Sequence, residues 1–227
     1  MTSTPSVRAA GAVAVVRWWH AGIAVVILGS LVIQLILIFS GGADANSGET
    51  GEAAGVGVRL WRLFSFFTIE SNLIVLAVCL GLVRRPLRDG RVWNVVRLDS
   101  LLGIVITGLV FAIVLAPQVH LTGAALVATI GFHYVSPWAT LLAWLLLGPR
   151  PRLTWRIVAA AFIWPVAWLL YIFVQGSFTD WYPYPFLDAT ELGLGVAVRN
   201  ALAVLVIGLV LAAGLKVLDG KLRAPVR

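Results

Sequence analysis

The chain has 227 residues, of which 60% are hydrophobic and 12% charged, and its net charge at pH 7 is +7. Soluble domains carry about 25% charged residues, so this composition excludes an ordinary soluble fold and indicates a protein embedded in a lipid bilayer. The basic residues lie at the ends of apolar runs rather than in one patch, which excludes nucleic acid as the partner of the positive charge.

Six apolar runs are long enough to cross a bilayer, which takes about 20 residues per helix. They cover residues 18–39, 60–83, 98–116, 121–147, 155–174 and 192–215. The first run is longer than the 7–15 apolar residues typical of a signal peptide, so we expect a retained helix rather than a cleaved signal. Pro137 and Pro165 predict kinks in the fourth and fifth runs. The prediction is one all-α domain over residues 1–227, a polytopic membrane protein built as a six-transmembrane-helix bundle.

The distribution of basic residues predicts the orientation of this bundle. Fourteen of the seventeen lysines and arginines fall in the N-terminal tail, the second loop, the fourth loop and the C-terminal tail. The exceptions are Arg59, Arg62 and Arg199. Cytoplasmic loops are enriched in basic residues, so both termini are predicted to be cytoplasmic. Arginine outnumbers lysine fifteen to two, which is typical of a GC-rich bacterial genome and indicates a multi-pass protein of a bacterial plasma membrane.

The loop before the last run is short, aromatic and rich in proline. It contains Trp181, Tyr182, Tyr184 and Asp188, with two prolines among them. Tryptophan and tyrosine favour the membrane–water interface. This segment is therefore predicted to form a stiff outer lid over the bundle.

The second run contains an unusual number of polar residues for a membrane helix. Ser65, Thr68 and Asn72 fall within about 60° of one another around a continuous helix, and Ser71 flanks them. Thr68 is predicted to lie roughly 12 Å below the outer end of the run. Hydroxyl and amide groups often join membrane helices by hydrogen bonds, and this structural role is one interpretation of the stripe. The other is a polar site inside the bilayer.

His133 is predicted to lie near the middle of the membrane, roughly 18 Å from the outer end of the fourth run. A single buried histidine is commonly a hydrogen-bonded core residue. It can also act as the general base that a hydroxyl nucleophile needs. If the second and fourth helices are neighbours, His133 and Thr68 come within hydrogen-bonding reach.

Two further embedded charges, Glu70 and Arg199, lie at similar predicted depths. Because an unpaired charge inside a membrane is costly, we expect them to form a buried ion pair. The alternative is that each reaches the interface or a wet cavity separately. A zinc site using His120 and His133 would lack the spacing of known zinc motifs, so neither a metal nor another cofactor is predicted.

Three ordered motifs suggest a family. They read FFTIESN at 66–72, HYVSP at 133–137 and WYPYPFLD at 181–188. Together they resemble bacterial six-helix membrane proteins related to the androgen-induced-gene and ADTRP family, and the similarity runs from the second apolar run to the last. Animal members are intramembrane hydrolases that use a threonine and a histidine to cleave fatty-acid esters of hydroxy fatty acids. The resemblance therefore implies that Thr68 and His133 are the catalytic residues.

The expected function is hydrolysis of a lipid or other acyl ester through an acyl-threonine intermediate. The expected partners are this substrate and the surrounding membrane lipids. Ser65, Ser71 or Asn72 would donate hydrogen bonds to the oxyanion. Two alternatives belong to other classes of protein. The chain would be a small-molecule transporter if the polar stripe lined a pathway, or a non-catalytic scaffold or sensor if the outer loop were a recognition surface.

Overall fold

The computed structural model describes residues 7–50, 54–148, 150 and 153–222. Arg152, Arg223 and Arg227, which enter the count of basic residues, lie outside this part. Within it the fold is entirely helical. The α-helices are α1 (Val7–Ser40), α2 (Val56–Ser65), α3 (Phe67–Arg84), α4 (Arg91–Val110), α5 (Gly123–Ile130), α6 (Ser136–Leu142), α7 (Trp155–Ala161), α8 (Ile163–Thr179), α9 (Ala189–Leu192) and α10 (Leu194–Lys221). π-Helical segments cover Phe111–Leu115, Gly131–Val135 and Ala143–Leu147, and a 3₁₀ turn covers Pro185–Leu187.

Six of the described segments are long and apolar enough to cross a membrane. They are Ala10–Ser40, Phe67–Arg84, Arg91–Leu115, Gly123–Leu147, Trp155–Thr179 and Leu194–Lys221. This confirms the predicted all-α, six-span architecture of a multi-pass membrane protein. We call the side formed by residues 41–50, 54–55, 116–122 and 180–193 the loop face.

The α4 helix is the centre of the bundle. Of its most apolar 18-residue window, 67% is buried, against 22% for the corresponding windows of the last two spans. It packs against α3, α6, α7 and α10, while α1 packs against α3 and α5. The exposed side chains of the outer spans, such as Val25, Phe178 and Val210, are apolar because they face lipid rather than water.

The second predicted span is interrupted where a single helix over 60–83 was expected. Phe66 adopts an extended backbone (φ −70°, ψ 126°) between α2 and α3. Its ring packs edge-on against Trp181 and Tyr184, so a tertiary contact supports the break. The amides of the first turn of a helix have no partner within that helix. The break therefore leaves the backbone amide of Thr68 without a partner in its own helix, so that it can bond to a group from elsewhere in the fold.

Both predicted proline kinks coincide with irregular helix. Phe162 separates α7 from α8, three residues before Pro165, whose ring excludes a regular α-helical turn on its N-terminal side. In the fourth span the π-helical segment Gly131–Val135 ends two residues before Pro137. π-Helical segments are rare and often occur at functional sites.

Candidate functional site

Thr68 and His133 lie in direct contact inside the bundle. Thr68 is in the first turn of α3, and His133 belongs to the π-helical segment of the fourth span. Thr68 Oγ1 is 3.3 Å from His133 Nε2. The two residues are 3% and 1% exposed, so bulk water does not compete for this hydrogen bond. The structure thus joins the two side chains that the resemblance implies as nucleophile and base.

The second ring nitrogen of His133 identifies its tautomer. His133 Nδ1 is 3.2 Å from the Thr129 carbonyl oxygen. Because a carbonyl only accepts hydrogen bonds, Nδ1 carries the proton of the neutral imidazole. Nε2 is therefore unprotonated and accepts the hydrogen bond from the Thr68 hydroxyl. Phe111 stacks on the imidazole with ring centroids 3.8 Å apart and planes at 21°, which fixes the orientation of the ring.

The side chain of Asn72 bonds to a backbone carbonyl next to His133 that has no partner in its own helix. The Ser136 amide donates to the Gly131 carbonyl, five residues back. In that register the next donor would be Pro137, which has no N–H, so the Phe132 carbonyl lacks a partner within its helix. Asn72 Nδ2 lies 3.3 Å from this carbonyl oxygen and donates to it. Asn72 is therefore a link between α3 and the fourth span.

Tyr184 makes the closest approach to Thr68 from the loop face. Its hydroxyl oxygen is 3.1 Å from the Thr68 backbone nitrogen and 3.2 Å from Thr68 Oγ1. The ring is surrounded by Phe66, Trp168 and Phe186, with centroid distances of 5.6, 6.0 and 5.4 Å. Burial raises the pKa of Tyr184 to about 12, so this hydroxyl remains neutral near pH 7.

The sequence assigned Tyr184 to an outer lid, whereas its side chain extends inward to the candidate site. A proline on each side of Tyr184 restricts the backbone of this segment. This rigidity is the one feature of the sequence that could have indicated that Tyr184 holds a fixed position. The direction of the side chain, however, depends on the packing of the loop onto α3 and α8.

An apolar cavity that is open to the exterior reaches Thr68, and the empty space in it and at its mouth is about 750 Å³. It lies between α4, α7, α8, α10 and the 3₁₀ turn, and its hydroxyl-bearing lining residues are Thr68, Thr107 and Tyr184. His133 is not part of the lining. The threonine therefore lies between the cavity in front and the histidine behind it, and the cavity has the chemistry to hold a hydrocarbon chain.

The other members of the predicted polar stripe separate in space. Ser65 Oγ is 2.9 Å from both the Trp61 carbonyl oxygen and the Tyr171 hydroxyl, so it joins α2 to α8. Ser71 Oγ is buried without a hydrogen-bond partner and packs close to Gly103 of α4. The predicted stripe required one continuous helix. Because the helix breaks at Phe66, Ser65 no longer lies on the same face as Thr68 and Asn72.

The predicted ion pair between Glu70 and Arg199 is wrong. Glu70 Oε2 accepts a hydrogen bond from Trp164 Nε1 at 3.0 Å. Arg199 is exposed, and its guanidinium lies 3.4 Å from the Asn200 side-chain oxygen. The α10 helix packs on α4 and on the 3₁₀ turn, so equal depth along two helices does not bring these charges together.

Trp181 covers the loop face above α2. Its ring packs against Trp61 and Phe66, with centroids 5.4 and 5.8 Å away. The Arg62 guanidinium lies 5.1 Å from the ring centroid. These contacts agree with a covering segment at the interface and hold Trp181 over the break between α2 and α3.

The remaining predicted lid residues have local structural roles. Tyr182 folds back onto α8, where its ring occupies the space that a side chain at Gly176 would need. Asp188 caps α9, because its Oδ1 accepts the backbone N–H groups of Thr190 at 2.9 Å and Glu191 at 3.2 Å. Thr68 Oγ1 forms its side-chain hydrogen bonds with His133 and Tyr184 rather than with either of these residues.

A hydrogen-bonded chain connects His133 to the first loop. The Thr129 hydroxyl donates to the Ala45 carbonyl, and the Ala45 amide donates to Gln34 Oε1 at 2.8 Å. Gln34 Nε2 in turn donates to Asp44 Oδ2 at 2.7 Å. Burial raises the pKa of Asp44. The residue that orients the imidazole is thus itself attached to a structured loop.

The chain matches no family model, no curated protein and no solved structure. Across the described ranges, no three histidine, cysteine, aspartate or glutamate side chains form a group that could hold a metal ion. Function is therefore inferred from the chemistry of the residues around Thr68.

Proposed function

We propose that this protein is an intramembrane hydrolase of lipid esters in which Thr68 is the nucleophile and His133 the general base. The observation that carries the proposal is the buried 3.3 Å contact between Thr68 Oγ1 and His133 Nε2 at the end of an apolar cavity. A threonine hydroxyl is a weak nucleophile until a base accepts its proton. His133 has the tautomer required for that task.

In the first half of the reaction, Thr68 Oγ1 forms a bond to the ester carbonyl carbon while its proton moves to His133 Nε2. The carbonyl π pair moves to oxygen and gives a tetrahedral oxyanion. When this intermediate collapses, the bond to the alcohol oxygen breaks, and that oxygen takes the proton from Nε2. The products are an acyl-threonine and a free alcohol. The Thr129 carbonyl, which accepts from Nδ1, stabilises the imidazolium that forms in between.

In the second half, water repeats the attack on the acyl-threonine. Its oxygen bonds to the acyl carbon, and one of its protons moves to His133 Nε2. Collapse of the new intermediate breaks the bond to Thr68 Oγ1, which recovers the proton from Nε2. The fatty acid leaves, and both side chains return to their starting protonation states.

The cavity favours a substrate with a long hydrocarbon chain. Its lining beyond the few hydroxyl groups is aliphatic and aromatic, and such surfaces hold acyl chains through burial of apolar area. The motif resemblance points further, to fatty-acid esters of hydroxy fatty acids. In the proposed orientation both termini are cytoplasmic, so the site lies in the outer half of a bacterial plasma membrane. A C-terminal fusion to a reporter active only in the cytoplasm tests that orientation.

The hydrolase is tested by labelling the purified protein with a fluorophosphonate probe and by measuring turnover of long-chain acyl esters. The variants are Thr68→Ala and His133→Ala. Thr140→Ala is the control for the first, because the Thr140 hydroxyl is buried without a hydrogen-bond partner and Thr140 is not part of the cavity lining. His20→Ala is the control for the second, because His20 is a buried histidine bonded to the Val16 carbonyl.

Loss of labelling and turnover in the first two variants, with both retained in the two controls, supports the proposal. Equal activity of Thr68→Ala and the native chain refutes it. Absence of labelling and of turnover in a folded native chain also refutes it, and favours a scaffold, a sensor or a transporter. Solute flux measured in liposomes then separates the transporter from the other two.

A further inference from the structure

The hydroxyl of Tyr184 has a defined direction. Its oxygen accepts the hydrogen bond from the Thr68 backbone amide, because an amide only donates. Thr68 Oγ1 gives its own proton to His133 Nε2 and therefore accepts at its remaining contact, which is with Tyr184. The proton of Tyr184 consequently points at the oxygen that would attack a carbonyl group.

Of the three side chains first expected to stabilise an oxyanion, two bond to other partners and the third lies outside the cavity lining. Asn72 Nδ2 donates to the Thr68 and Phe132 carbonyls at 2.8 and 3.3 Å. Ser65 Oγ bonds to the Trp61 carbonyl and to a tyrosine of α8. Ser71 is not part of the cavity lining. Among the described residues, only Tyr184 and His133 make side-chain hydrogen bonds to the Thr68 hydroxyl.

We propose that Tyr184 is a third catalytic residue, whose hydroxyl forms the oxyanion hole together with the Thr68 backbone amide. The inference rests on the proposed hydrolase function. Both donors already meet beside the attacking oxygen. A carbonyl oxygen that reached this point from the cavity would replace Tyr184 Oη as acceptor of the Thr68 amide. It would also receive the tyrosine hydrogen bond in place of Thr68 Oγ1.

This role involves no transfer of the phenolic proton. When Thr68 Oγ1 bonds to the acyl carbon, the electron pair of the carbonyl moves to oxygen, and Tyr184 turns its O–H from Oγ1 to that oxygen. The tyrosine remains neutral throughout and donates again to Oγ1 when the intermediate collapses. The amide of Thr68 belongs to the first turn of α3, whose positive dipole end favours negative charge at the same place.

The surroundings of Tyr184 suit a fixed donor. Three aromatic residues enclose its ring, and the 3₁₀ turn that follows it is tied to α10 by Asn200, whose Nδ2 donates to the Phe186 carbonyl at 2.9 Å. Preorganised donors in a water-poor site are effective because they need little rearrangement during the reaction. The same contacts explain why an apparent lid segment carries a residue of the reaction centre.

The test compares Tyr184→Phe with Tyr171→Phe, Thr68→Ala and the native protein. Tyr171 is the matched control, since its hydroxyl bonds to Ser65 and Trp61 and does not contact Thr68. The measurements are kcat and KM for a long-chain acyl ester, the affinity for a long-chain trifluoromethyl ketone, and the thermal unfolding midpoint. The ketone adds to a nucleophilic hydroxyl and develops an oxyanion, so it reports on the proposed hole.

We expect Tyr184→Phe to lower kcat by about 10²–10³-fold, as loss of one oxyanion donor does elsewhere, with a much smaller change in KM. The affinity for the ketone should fall in parallel, while Tyr171→Phe keeps both. If Thr68→Ala is inactive but Tyr184→Phe retains the native kcat, the role of Tyr184 is refuted and the hydrolase stands. A higher kcat in Tyr184→Phe also refutes it, because the tyrosine would then block the nucleophile. Full activity of Thr68→Ala, or none in the native chain, overturns both proposals.

Discussion

Replacing Gly108 with alanine tests how closely α4 must approach the fourth span. A Cβ built on Gly108 would lie 2.8 Å from Pro137 Cβ and 3.3 Å from the His133 carbonyl oxygen. Carbon atoms pack best at about 3.5–4.0 Å, and a proline ring cannot rotate away. The two helices would therefore have to separate by about 0.7 Å or more. Overpacking of this kind costs about 1–3 kcal/mol.

The intrinsic preference of alanine for helices must be separated from this clash. Alanine stabilises a helix by about 1 kcal/mol relative to glycine. Gly29→Ala provides the control, because a Cβ at Gly29 of α1 meets nothing within 4 Å. The difference between the two variants isolates the packing cost. We expect Gly108→Ala to be less stable than Gly29→Ala by about 1–3 kcal/mol, measured by tryptophan fluorescence during unfolding in mixed detergent micelles.

The same separation would affect the candidate site. His133 lies on the fourth span, and its Nε2 is 3.3 Å from Thr68 Oγ1 of α3, which is near the limit of a hydrogen bond. A shift of the fourth span by about 0.7 Å is therefore expected to weaken this contact. Fluorophosphonate labelling of Gly108→Ala is therefore expected to be slower than that of Gly29→Ala. Equal stability and equal labelling of the two variants would refute the reasoning about this close approach.

Three further predictions follow from individual contacts. A double-mutant cycle of Glu70→Gln and Arg199→Gln should give a coupling energy below about 0.5 kcal/mol, because the two side chains are not in contact. A coupling energy of several kcal/mol would instead indicate that they form an ion pair. Thr129→Val should cost about 1–3 kcal/mol, since it leaves the buried Ala45 carbonyl without its donor, and should speed hydrogen exchange in residues 44–48; unchanged exchange there would count against this link. The pKa of Tyr184 is about 12 in the folded protein and about 10 in an unfolded chain. The contribution of this tyrosine to the unfolding free energy is therefore fully present below about pH 10 and is lost as the pH rises towards 12. Tyr184→Phe should remove this loss from a pH titration of the unfolding free energy.

Much of the architecture could be predicted because a bilayer restricts the possible folds. Backbone groups in hydrocarbon must be satisfied within each segment, so long apolar runs become helices. The six predicted runs correspond to the six observed segments. The boundaries differ most in the second span, where the predicted helix began at residue 60 and the observed one begins at Phe67. Hydropathy averages over many residues and does not register a break at a single phenylalanine.

The predicted site was less complete than the fold. Motif resemblance selected Thr68 and His133, and the structure brings their side chains into contact. Helical periodicity placed Asn72 in one polar stripe with Thr68, whereas its side chain bonds to the Phe132 carbonyl of the fourth span. Asp188 was assigned to a lid and caps α9. The side chains of Asn72 and Asp188 both bond to backbone groups that have no partner within their own helix. Which backbone groups these are is set by where the helices break and begin in the folded chain.

The sequence by itself determined that this protein belongs in a lipid environment and how many candidate spans it has, since these depend on composition and run length. Thr68 and His133 were predicted as a catalytic pair from the motif resemblance. Only the tertiary structure decided which helices are neighbours, that Glu70 and Arg199 lie apart, and that Tyr184 reaches Thr68 from a loop more than a hundred residues away. These contacts depend on helix rotation, on breaks in hydrogen-bonded ladders and on the close approach allowed by Gly108. Such features arise from packing between distant segments and leave no periodic signal in a single sequence.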